Sequence, residues 1–144
     1  MHGGWLFRTK KNKQMKKVFQ FALIIAMMIP AMSFAQTKKP VWAEMKKFHY
    51  FMSTSFHPAE EGNFAPLKAK VDSMFAAAQA WEDAAVPADF KPEETKKTLK
   101  LLTIKVAALK KAVEAKLDDK ELARLIADAH DVFHKVAGEC RKED

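Results

Sequence analysis

The sequence is poor in the residues that staple or bend a chain. It holds one cysteine, Cys140, so no internal disulfide can form. A thiol without a partner is buried, metal-bound, reactive or intermolecular. Cys140 falls on an apolar helical stripe, which favours burial. Four glycines in 144 residues leave no Gly-rich loop to cradle a phosphate. No Ser-His-Asp order with supporting context occurs, and His130 is followed by Asp131 rather than the catalytic Glu of the zinc-protease pattern. An enzyme is therefore not expected. Alternating β-branched runs and Asn-Gly or Asp-Gly hairpin turns are missing too, which argues against strands.

Long apolar runs are absent but for one, Val18 to Met32. It falls short of the roughly 20 residues that a membrane span needs. Met15-Lys16-Lys17 precede it, and Ser33-Phe34-Ala35 follow it ahead of Gln36. A basic start, an apolar middle and a small-x-small end make a secretory signal peptide. Pro30 would end the helix of its apolar region. Cleavage after Ala35 is expected, giving a periplasmic or secreted protein without a stable membrane anchor. No cysteine closely follows the run to carry a lipid. Residues 1–14 precede a second good start at Met15 and are read as an extension. The chain thus divides into residues 1–35, extension and leader, and residues 36–144, one small domain.

The leader also carries the charge excess. The whole chain is formally +7. Arg8, Lys10, Lys11, Lys13, Lys16 and Lys17 all lie in the leader, with no acid among them; taking these six from 25 basic residues leaves 19 against 18 acidic ones. A near-neutral mature chain lacks the concentrated basic face of a nucleic-acid binder, so no nucleic-acid partner is expected.

What the mature chain has in plenty is helical periodicity. After a polar tether to Pro40, Val41, Met45, Phe48, Met52 and Phe56 recur at spacings of three and four, predicting a helix over about 41–55. Pro58 disfavours helix at His57 and predicts a linker through Pro66. Leu67, Val71, Met74, Ala78, Trp81 and Ala85 predict a second helix over about 66–85, with Pro66 in its first turn. Glu93 and Glu94 open a third over about 93–117, carrying Leu99, Leu102, Val106, Leu109, Val113 and Leu117. Asp118 or Asp119 caps a fourth over about 119–142, with Leu122, Leu125, Ile126, Ala129, Val132, Phe133, Val136 and Cys140. Each apolar face needs a partner, so the fold class expected is all-α, an antiparallel up-down-up-down four-helix bundle.

The chemistry of the mature chain concentrates in its histidines. His130 and His134 stand four residues apart on one face of the fourth helix. Arg124, Asp128, Asp131, Lys135, Glu139 and Lys142 crowd a different arc, so both imidazoles sit on the uncharged side. His49 lies about nine residues into the first helix, roughly 13 Å along it, and His134 lies as far from the end of the last. Antiparallel neighbours would bring them level. His57 and the Glu60-Glu61 pair fall near the loop after the first helix. Neutral imidazole is the usual ligand of zinc, copper and nickel. His49, His130 and His134 are therefore candidate ligands of a divalent transition metal, with His57 and Glu61 as supplementary ones. Asp131 could orient a ring from behind. The alternative is that these rings are partly buried and satisfied by Ser53, Asp131 or backbone, and that Glu60 and Glu61 only complement a helix dipole.

Met in the first helix and His in the last, in an exported bundle of this size, resembles the soluble periplasmic b-type cytochromes and cytochromes c′. The resemblance spans Val41 to Glu143. It implies a haem b held by Met45 or Met52 with His130 or His134. Covalent c-type attachment is excluded, because no Cys-x-x-Cys-His occurs. His49, His57, His130 and His134 exceed what two axial positions require, and Met45, Met52 and Met74 also suit core filling. The expectation is thus a non-enzymatic metal-binding bundle, monomer or homodimer. The alternatives are a b-type haem protein acting as a redox carrier, and a structural or interaction module of the cell envelope.

Overall fold

The computed structural model describes residues 42–143. The leader, the expected cleavage after Ala35 and the tether to Pro40 lie outside them. Four α-helices follow in order: α1, Ala43–Glu60; α2, Ala65–Asp83; α3, Pro92–Glu114; and α4, Asp119–His134, continued by a π-helical turn, Lys135–Glu139. Each helix packs on the next, and α1 also meets α4. Among the described residues there is no strand, only an isolated antiparallel bridge between Phe90 and Arg141. No helix of the described residues is long and apolar enough to cross a membrane.

The predicted stripes are the faces that meet, except that Ala85 and Leu117 fall beyond the ends of α2 and α3 and are exposed. Phe48 and Met52 of α1, Leu67, Val71, Met74, Ala78 and Trp81 of α2, Leu99, Leu102, Val106 and Leu109 of α3, and Leu122, Ile126, Ala129 and Val136 of α4 are all buried. Burying a large apolar side chain stabilises by about 1.5–3 kcal/mol, so these faces carry the fold. One end of the core is aromatic. Trp42, just ahead of α1, meets Trp81 edge-on at 5.4 Å and Phe90 at 5.1 Å. Phe48 and Phe133 close on Trp81 at 5.6 and 6.0 Å. Cys140 is buried, and its thiol donates to Thr98 Oγ1 at 3.6 Å.

The ends of the helices differ from the sequence expectation, each for a local reason. α1 does not stop near Ser55 but runs on through Pro58 to Glu60. Proline lacks the N–H that would bond Thr54, a cost inside a helix. Packing of the last turn offsets it: Ser55 and Ala59 are buried, and Phe56 lies on α4. The stop comes at Gly62, with φ +82°. Its N–H bonds Ala59 O at 3.0 Å, and the Asn63 N–H bonds Pro58 O at 2.9 Å. That pair of bonds around a left-handed residue is a Schellman closure. α3 ends at Glu114 rather than Leu117 with the same closure around Lys116, whose φ is 55°. There the Lys116 N–H bonds Val113 O and the Leu117 N–H bonds Ala112 O, both at 3.0 Å.

α4 is regular only to His134, not to Lys142. In the π turn the Cys140 N–H reaches back five residues to Lys135 O at 3.0 Å. The wider turn keeps Val136 and Cys140 inward. It also delivers the chain to the α2–α3 loop, where Lys91 N–H bonds Cys140 O and Lys142 N–H bonds Asp89 O, both at 2.9 Å. The Arg141 guanidinium lies over the Phe90 ring, 4.9 Å from its centroid, and pairs with Asp89 at 3.4 Å.

Candidate functional site

The site is built where the last turns of α1 meet the middle of α4. Ala129, Val132 and Phe133 fix the inward face of α4 by burial. His130, half-buried, and His134, exposed, then project along the seam beside that face. Because residues four apart are neighbours on a helix, the two rings meet: their Nε2 atoms are 3.1 Å apart, with ring centroids at 4.4 Å. A hydrogen bond between them requires one ring to carry its proton on Nε2 and the other to accept there.

α1 supplies the wall. The His130 ring stacks on Phe56, with centroids 3.9 Å apart and planes 8° from parallel. This contact exists because α1 persists past Pro58 and holds Phe56 on a helical face. Burial, and next the neighbouring His134, hold His130 below the ordinary imidazole pKa; Asp131 and Glu60 pull it up, and His57 pushes it down. Desolvation penalises the charged ring, so burial shifts His130 toward its neutral form. A recess of about 170 Å³ adjoins this wall, lined by Phe56, Ala59, Glu60, Ala123, Ile126 and Ala127.

The other candidate ligands are placed separately. The His49 ring stacks on Phe133 at 5.2 Å, and Phe133 in turn meets His134 at 5.3 Å. His57 Nδ1 faces Glu60 Oε2 at 3.2 Å, so the carboxylate beside it is that of Glu60. Glu61 closes the end of α1, exposed, its N–H bonded to Pro58 O at 3.1 Å. Met52 is fully buried in the core, and Met45 is half-buried against it. Ser53, considered as a histidine partner, donates instead to Tyr50 O at 3.3 Å. Among the described residues no three His, Cys, Asp or Glu side chains gather closely enough to hold an ion together. The structure therefore brings together His130 and His134, and among the described residues His49, His57 and Glu61 do not gather with them as further ligands.

Sequence reasoning missed the platform role of Phe56 and the nearness of Glu60. Both follow once the spacing Met52, Phe56, Glu60 is continued past Pro58 instead of being stopped there.

Comparison of the chain with protein-family models, with curated proteins and with solved structures finds no match. The likeness to periplasmic cytochromes thus rests on the residues alone.

Proposed function

We propose that this protein is an exported, non-enzymatic helical bundle that binds a divalent transition metal, zinc, copper or nickel, through His130 and His134. The observation that carries the reading is the 3.1 Å approach of the two Nε2 atoms. Two imidazoles bound at about 2.0–2.1 Å place their nitrogens about 3.3 Å apart at a tetrahedral metal and about 2.9 Å apart at a right-angled one. The pair already stands within that range, so the two nitrogens can bind one ion without changing their separation, the donor ring moving its Nε2 proton to Nδ1 or to solvent. The lowered pKa of His130 adds to this, since the ligand must be neutral. Stacking on Phe56 fixes one ring and reduces the entropy lost on binding.

The arrangement of helices supports the same reading. Each packs on its neighbour in sequence and α1 closes on α4, as an antiparallel up-down bundle requires. The signal-like segment Met15–Ala35 supports delivery to the periplasm, where histidine ligands meet metal ions outside the cytosol.

Calorimetric titration with zinc, copper and nickel salts tests the proposal. Wild-type protein is expected to bind at least one of them, and His134→Gln is expected to weaken that binding at least tenfold while keeping the helical circular dichroism. Equal affinity in the two proteins would place the ligands elsewhere.

A further inference from the structure

We propose that the metal site is completed by a second copy of this chain, two His130–His134 pairs closing on one ion across a two-fold axis. This rests on the metal-binding reading above and extends it to the partner. A closed tetrahedral site takes four protein ligands, and the pair supplies two. Among the described residues no third His, Cys, Asp or Glu gathers with them. His57 Nδ1 faces Glu60, and His49 lies on Phe133 without joining the pair.

The surroundings of the pair suit a second copy. His134 is exposed, so the pair lies at the surface of the bundle rather than in its core. The flank of the seam holds Ala123 and Ala127, short side chains that admit close approach of a second α4, beside the mostly apolar recess under Phe56. A two-fold operator sets the same patch on itself, so one half-site suffices to specify the whole. Self-repulsion is weak, because the chain after Ala35 carries 19 basic and 18 acidic residues. Four imidazoles then surround the ion, two from each copy.

Light scattering after size exclusion, with zinc chloride titrated into the purified protein, tests this. The mass is expected to double, with the dimer fraction greatest near one zinc per two chains. Excess chelator should return it to the monomer, and His134→Gln should stay monomeric throughout. A mass that stays monomeric while one zinc binds per chain overturns the dimer and leaves the metal-binding reading standing. Absence of zinc, copper and nickel binding alike overturns both. A dimer that persists in chelator, or in His134→Gln, shows association without the ion and overturns the proposal.

Discussion

Lys116 holds a φ of 55° at the close of α3, a conformation that crowds any residue with a Cβ. Glycine meets the same requirement at Gly62, the close of α1. Lys116→Gly is therefore expected to stabilise the protein by about 1 kcal/mol, read as a higher denaturant midpoint. A lower midpoint would show that the lysine side chain contributes more than its backbone costs. At His130 the relevant quantity is the proton. Its pKa is lowered by burial and by His134, so the folded state takes up this proton less readily than the unfolded chain. Between the folded value and the ordinary value of about 6.5, the unfolded state holds more protons. Stability therefore rises with pH across that window and is lost as pH falls through it. His130→Phe keeps a ring on Phe56 and removes the titration. Without metal, its unfolding free energy is expected to depend less on pH than that of the wild type between about pH 5 and 7. An unchanged slope would assign the dependence to other groups.

Helix termini are where the elements depart most from their sequence signals. α4 begins as its capping residue dictates: Asp118 Oδ1 accepts the Glu121 N–H at 2.8 Å, while Asp119 pairs with Lys68 at 2.9 Å. Asp118→Ala is expected to cost about 1 kcal/mol, measured by thermal unfolding, and Asp119→Ala much less. Equal effects would contradict the assignment of the cap. The choice between the two acids was legible in the spacing Asp118-x-x-Glu121, a capping signature that Asp119, followed three residues on by Leu122, lacks. Pro58 was misleading. The rule that a residue before proline avoids helix is local. The burial of Ala59 and the stacking of Phe56 are tertiary and override it. The π turn was invisible because Val136 and Cys140 keep a four-residue spacing whichever helix type carries them. The apolar stripes, by contrast, were legible, since periodicity reports burial directly.

Across the whole molecule, level and facing behave differently. Counting residues on the expectation that the first and last helices are antiparallel puts His49 level with His134, but rotation about each axis decides which rings meet. Phe133, on the inward face of α4, is the neighbour that His49 finds. The pair on a single helix needs no such agreement between elements, which is why His130 and His134 meet as their spacing implies. The central claim is that these two imidazoles hold a transition metal. Elemental analysis of protein purified without chelator or metal-affinity resin tests it most directly, for the wild type and for His130→Ala combined with His134→Ala. Zinc, copper or nickel is expected at between half an ion and one ion per chain in the wild type, and at background in the double variant. Equal metal content in the two proteins, or none in the wild type after dialysis against all three ions, would contradict it.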